Sequence, residues 1–331
     1  MSSYRSPLLD LPGAVQADGL DAGVAAHYGS DLREQRALAA GSGFVDLSHR
    51  DVLTVAGPDR LTWLHAITTQ YFEGLKPGTS TTALVLSPTG RVEHAMYGVD
   101  DSETFWLHTE PGAGAALMTW LNSMVFMSRV VITDVTAEYA IVWRPGNAVA
   151  GGPVTRAAAD SLGGHEVFLP RAELAGQEGP AAGVWAYEAL RIEAGAPRLG
   201  LDTDDKSIPN ELGWLNVAVH LEKGCYRGQE TVARVHNLGR PPRRLVRLHL
   251  DGSVDHLPVH GNAVQLDGKT VGFIGSAARH HEFGPIALAL VKRSTATDAV
   301  LQVVAEDQPT VMATQEALVD PEVGLHVRAR L

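Results

Sequence analysis

A single cysteine, Cys225, among 331 residues limits what this chain can fold into more than any other feature. No intramolecular disulfide is open to it, nor any zinc site built on several thiolates, and one thiol alone cannot hold an iron–sulfur cluster, which usually takes about four cysteine ligands. The fold must therefore stand on apolar cores. A hydrophobic content of 45% is ample for them. At roughly 150 residues per domain the length predicts two or three domains. The lone thiol fits a reducing compartment, and Met1 to Asp10 shows neither a basic segment before an apolar run nor an Arg-rich leader, so a cytoplasmic location is expected. The uncharged stretch Pro111 to Ser128 is broken by Pro111, Gly112 and Gly114 and carries the polar Thr119, Asn122 and Ser123. It reads as a core helix running into a strand, since a membrane span needs about 20 predominantly apolar residues.

Punctuation and periodicity place the elements. Gly57-Pro58-Asp59 opens a helix to about Thr68, flanked by strands at Val52 to Val55 and Thr82 to Leu86. A second strand pair, Thr104 to His108 and Ser128 to Ile132, brackets a helix within Ala115 to Asn122. Strand–helix–strand–strand–helix–strand order predicts a ferredoxin-like α+β unit. Residues 145–164 are rich in Gly, Pro and Ala and read as a loop with local structure over 154–160, followed by a strand at His165 to Leu169. From about Leu245 onward, short strands separated by Gly, Asp and Pro turns predict a small barrel or sandwich.

Several tempting motifs fail on their chemistry. Asp267-Gly268-Lys269-Thr270 has Ala263 where a phosphate-binding loop needs glycine, and the alternating Val264, Leu266, Val271 and Phe273 make it a hairpin turn. Asp46, Ser48 and His49 are residue types of a hydrolase triad, but adjacent Ser and His on an extended segment face opposite ways. His280-His281 lacks companions at a metal-ligand spacing other than Glu282, so no metal is expected and a surface turn fits better.

The net charge is −11, which argues against nucleic-acid binding by the surface as a whole. Between Glu222 and His249, however, seven basic residues meet two acids, giving +5 against −16 for the remainder. This strip suits a polyanionic small ligand or an anionic partner, or else a solvated edge strand with outward arginines. Within it Cys225 stands between Lys223 and Arg227, and in an extended segment residues 223, 225 and 227 share a face. Two cations there would lower the thiol from its ordinary pKa of about 8.5; the bland alternative is a small buried hydrophobe. Glu193 falls in the last turn of a helix over Ala182 to Ala194 that Gly195-Ala196-Pro197 stops. A carboxylate there opposes the helix dipole by about 0.3–1 kcal/mol unless a donor compensates, and an ion pair with Arg198 is one way to supply it.

The run Lys223-Gly224-Cys225-Tyr226-Arg227-Gly228-Gln229-Glu230 resembles the K-G-C-Y-x-G-Q-E motif of the YgfZ family of folate-binding proteins, relatives of the glycine-cleavage T-protein aminomethyltransferase. Phe44 to His49, Gly57-Pro58-Asp59, Gly90-Arg91, Arg191 to Gly195 and Val271 to Ser276 extend the resemblance through most of the chain. It implies an α+β fold of three domains around a folate pocket: a discontinuous domain 1–48 with 137–240, a second α+β domain 49–136, and a β-barrel 241–331. The implied ligand is tetrahydrofolate or a derivative, polyglutamylated forms included, with Glu193 anchoring the pterin's parallel N–H donors and Tyr226, Arg227 and Arg244 completing the cofactor site. Cys225, with Lys223, would be the reactive centre in work on iron–sulfur client or assembly proteins, with tRNA modification affected downstream. One departure stands out. His94-Ala95 follows Gly90-Arg91-Val92-Glu93 where an acid is expected, which counts against aminomethyl transfer. An aminomethyltransferase or related demethylation partner, and a non-catalytic folate-responsive scaffold, remain the competing readings.

Overall fold

A computed structural model describes residues 4–147, 154–159, 161–253, 255–305 and 308–325. The backbone divides into two compact units, one of residues 1–85, 94–187 and 223–226, the other of 86–93, 188–222 and 227–331. The first unit opens with a hairpin of β1 (Ala14–Gln16) and β2 (Ala25–Tyr28) and helix α1 (Asp31–Ala39), whose N-cap Ser30 accepts from the Arg33 amide.

Strand β3 (Phe44–Asp46) precedes the expected ferredoxin-like segment: β4 (Asp51–Ala56), α2 (Arg60–Ile67), β5 (Ser80–Leu86), β6 (Val92–Asp100), β7 (Thr104–Thr109), α3 (Gly114–Ser123) and β8 (Val131–Asp134). The sheet order is β5-β6-β7-β4-β8, so β6, unassigned from sequence, is inserted beside β7 in an otherwise ferredoxin-like arrangement. Leu53, Val55, Phe105 and Leu107 of the sheet bury against Trp63 and Leu64 of α2 and Leu117 and Leu121 of α3. Those positions follow the period of two in the strands and three to four in the helices.

A second sheet, β10-β11-β9-β3-β12, takes β9 (Tyr139–Arg144), β10 (Thr155–Ala157), β11 (His165–Pro170) and β12 (Ala181–Ala182) from beyond β8 and β3 from before it. Of the stretch 145–164 read as a loop, residues 148–153 and 160 lie outside the described residues, and β10 occupies part of the remainder. Helix α4 (Val184–Ala194) follows β12.

The second unit contains α5 (Gln229–Leu238), opened by Gly228 at φ +80° and closed by Gly239 at φ +64°. It also contains a closed six-stranded barrel of order β13-β16-β15-β14-β17-β18: β13 (Arg243–Leu250), β14 (Ala263–Leu266), β15 (Lys269–His280), β16 (Gly284–Lys292), β17 (Leu301–Val304) and β18 (Val311–Ala317). Asp267 and Gly268 join β14 to β15 at φ +49° and +73°, the paired positive angles of a tight hairpin turn. Among the described residues no helix is long and apolar enough to cross a membrane.

Candidate functional site

The motif loop in the first unit is built on the end of α2. A helix leaves its last carbonyls without intrahelical partners, at its negative dipole end. Lys223 supplies what is missing: its ammonium donates to the carbonyls of His65, Thr68 (2.6 Å) and Gln70 (3.1 Å). Three donors meet three acceptors. Lys223 is buried, its nitrogen 5.4 Å from the centre of the buried Tyr226 ring. Burial pulls the Lys223 pKa down to about 8 and pushes the Tyr226 phenol up to about 12.

Cys225 lies between these two buried residues and is itself exposed. The expected shared face of residues 223, 225 and 227 is therefore not what forms. The chain bends at Lys223 and Gly224, turning the ammonium inward to α2 while the thiol stays outside. Lys223 acts as an anchor of the loop, which corrects its expected place beside Cys225 in the reactive centre. Arg227, in the second unit, pairs with Glu93 at 3.1 Å, both about one-third exposed.

The second unit carries Glu193. Arg191, one turn of α4 away from its partner, forms a bidentate pair with Glu188 (3.0 and 2.7 Å) and reaches Asp202 at 2.9 Å and Ser276 at 2.7 Å. Arg198 also binds Glu188, at 2.9 Å. Gly275 makes this convergence possible, because a Cβ there would stand 2.3 Å from Asp202 Oδ1. The Arg191-to-Gly195 and Val271-to-Ser276 segments thus meet in one buried charge cluster.

Glu193 stays outside it, 38% exposed. Its Oε2 accepts from His280 Nε2 at 3.0 Å, and Arg247 donates to its backbone carbonyl. These two donors offset the unfavourable dipole position. His280 is buried at the turn into β16, and burial pulls its pKa down against the opposing pull of Glu193. What sequence showed as an isolated surface His pair is half right: the segment is a turn, but one of its rings is a buried partner of the candidate anchor.

Arg244 is a correction. It is fully buried in the barrel and donates to the carbonyls of Arg293 (2.9 Å), Thr295 (2.8 Å) and Lys292 (3.3 Å) and to Gln315 Oε1 (3.0 Å). It ties strands together and is closed to a folate. Its neighbours in the basic strip are engaged as well: Arg243 with Asp204 and Glu211, and Arg247 with Glu316. The strip's formal charge is largely matched by acids distant in sequence, and β13 lies within a closed barrel rather than at an edge.

On β6 the period of two of a strand places Glu93 and Ala95 on one face and His94 on the other, with Glu93 exposed at the start of the strand and Ala95 buried further in. Ala95 is fully buried and its carbonyl accepts from Thr109 Oγ1 at 2.8 Å. The two positions expected to hold an acid carry an imidazole and a methyl group, and Glu93 stands two residues from Ala95, about 6.6–6.8 Å by strand geometry.

One cluster escaped sequence reading. In the first unit Glu166 of β11 accepts from His108 Nε2 of β7 (2.8 Å) and Arg156 of β10 (2.7 Å), with Arg50 3.5 Å away. Arg156 also donates to Thr82 Oγ1 at 2.8 Å. Burial alone would raise the Glu166 pKa, but His108 and Arg156 hold it far below the usual carboxylate range. No spacing connects these residues, which come from separate strands and, for Arg50, from the turn before β4; the only hint was charge within apolar runs. Among the described residues no group of three His, Cys, Asp or Glu side chains could hold a metal ion.

Comparison with known proteins bears on both units. Residues 15–153 match the GCVT N-terminal domain and 243–320 the glycine cleavage T-protein C-terminal barrel domain. The chain is 27% identical to a chloroplastic candidate transferase of Arabidopsis thaliana, over 89% of this chain and 74% of that protein. It is 26% identical to an aminomethyltransferase of Geobacillus kaustophilus, over 88% of this chain and 91% of that one. The crystal structure of the glycine cleavage aminomethyltransferase T of Bartonella henselae superimposes with a TM-score of 0.79 at 18% identity, covering 96% of this chain and 97% of that one. At that identity the likeness speaks for the fold.

Proposed function

The chain belongs to the glycine-cleavage T-protein superfamily, and within it we propose a tetrahydrofolate-binding protein that supports iron–sulfur cluster assembly or repair through Cys225, rather than an aminomethyltransferase. The observation that carries this reading is the Glu193 carboxylate: at the wrong end of a helix for a structural acid, compensated by two donors, yet still exposed. That chemistry fits a pterin, which offers two parallel N–H donors to a carboxylate's two oxygens. Tetrahydrofolate, when bound, would supply a carrier for one-carbon units. The chain's own part is to anchor the ring through Glu193 and to present a thiol on a loop held by Lys223. As the lone cysteine, Cys225 can join only transient bonds to a partner's sulfur or cluster, and its exposure on a fixed loop suits that use. Effects on tRNA modification would follow from the state of iron–sulfur client enzymes.

The relatives' names favour the competing reading, aminomethyl transfer. Ala95 argues against it, and so does Glu93, whose carboxylate is paired with Arg227. The test is tetrahydrofolate-dependent release of ammonia and methylenetetrahydrofolate from an aminomethylated lipoyl carrier. The expected result is no turnover in the enzyme range; a rate of about 1 s⁻¹ or faster would establish a transferase.

A further inference from the structure

His280 closes β15, and its ring is held on every side. Its Nδ1 lies 3.2 Å from the amide nitrogens of both Glu282 and Phe283, which donate to it. A neutral imidazole has one acceptor nitrogen and one donor. With Nδ1 accepting, the proton resides on Nε2, and Nε2 faces Glu193 Oε2 at 3.0 Å. The ring stacks on Phe283 at 5.0 Å and 23° and lies 4.5 Å from the ring of His281. Phe283 is in turn held by the Arg247 guanidinium at 5.7 Å and the edge of His249 at 5.7 Å. Arg247 also donates to the Glu193 carbonyl, so the barrel grips the end of α4 through both the backbone and the side chain of one residue.

We propose that His280 is the positioning residue of the Glu193 carboxylate, a neutral donor locked in one tautomer that aims Oε1 and the second lone pair of Oε2 at a ligand with two parallel N–H groups. This rests on Glu193 being the pterin anchor. A glutamate side chain left to itself samples several rotamers, all but one of which are lost on binding; fixing it beforehand removes that cost from the association. The two turn amides make the arrangement asymmetric. They occupy the nitrogen that would have to be protonated to form an imidazolium, and burial further disfavours the charge. The anchor therefore receives a hydrogen bond without a buried cation to neutralise it.

Calorimetric titration with 5-formyltetrahydrofolate, on the full chain, tests the proposal through His280→Leu, His280→Gln, Glu193→Gln and the double variant His280→Leu/Glu193→Gln. His280→Leu is expected to weaken binding by roughly tenfold, and His280→Gln, whose amide can still donate to Glu193, by no more than about threefold. A residue acting through Glu193 adds nothing once Glu193 is gone, so the double variant should match Glu193→Gln alone. An equal loss from His280→Leu with and without Glu193 would overturn the proposal, as would full affinity in His280→Leu when Glu193→Gln binds weakly. Unchanged affinity in Glu193→Gln would instead remove the anchor reading and this inference with it. Should His280→Leu not fold, His280→Asn keeps an acceptor for the turn amides but is too short to donate to Glu193. It is expected to lose the same tenfold or so, and wild-type affinity there would overturn the proposal.

Discussion

Glu166 and Glu193 are both carboxylates with a histidine donor about 3 Å away, and they do opposite work. Glu166 is 2% exposed and is met by His108, Arg156 and Arg50 at once. Such a group has no capacity left for a ligand; it fixes how strands β7, β10 and β11 meet. Glu193 has one side-chain donor and is 38% exposed, so binding capacity remains. The same residue type is structural when its partners saturate it and, on the function proposed above, binds a ligand when they orient it without saturating it.

The largest expected difference between them is in stability. Glu166→Gln leaves Arg156 and Arg50 buried without their counter-charge and is expected to cost about 3–5 kcal/mol in urea unfolding at neutral pH. The sign with pH follows from a folded-state pKa held below its unfolded value. The stabilisation is fully present above about pH 4.3 and is lost as pH falls, so the gap between wild type and Glu166→Gln should narrow by about pH 3. A gap that widened in acid would place the dominant interaction elsewhere.

Glu193→Gln should reverse the pattern. Stability should change little, because the residue is half exposed, while affinity for a tetrahydrofolate should fall by about 2–4 kcal/mol, or roughly 30- to 1000-fold. Unchanged affinity in a calorimetric titration would make Glu193 a surface acid and dissolve the contrast with Glu166.

Lys223 sharpens the comparison as an intermediate case, a buried charge satisfied by backbone rather than by counter-ions. Lys223→Met leaves the carbonyls of His65, Thr68 and Gln70 without their shared donor, at an expected cost of about 1–3 kcal/mol. Loosening the loop should also quicken iodoacetamide labelling of Cys225. A fall in stability with unchanged labelling would separate the anchor from the presentation of the thiol.

Much of this was legible in the sequence, for identifiable reasons. Helices α2 and α3, the short strands after Leu245 and the Asp267-Gly268 hairpin follow from periodicity and turn chemistry, which are local; that those strands close into a barrel and not a sandwich came only with the family resemblance. Strand β6 is unassigned from sequence; its Gly98 lets β6 approach β7, since a Cβ there would stand 2.5 Å from the Phe105 ring and the Trp106 carbonyl. Glu193 and Cys225 could be singled out because the penalty of a helix-end acid and the singularity of the thiol are visible in one dimension. Their surroundings were not. Whether Lys223 faces the thiol or α2 depends on a bend at Gly224, and whether Arg244 meets solvent depends on carbonyls of residues 292–295 about 50 positions away. Summed charge predicted a basic strip because Asp204, Glu211 and Glu316 reach it only through the fold.

The central claim, that this chain binds a folate and that an exposed thiol on an anchored loop and not a transfer base is its working group, is tested most directly by Cys225→Ser. In a strain lacking the endogenous gene, activities of iron–sulfur enzymes would be measured with the wild-type chain or the variant supplied, after showing that the purified variant folds and binds 5-formyltetrahydrofolate as the wild type does. The account predicts normal folding and binding with no restoration of those activities; full restoration by Cys225→Ser would contradict it.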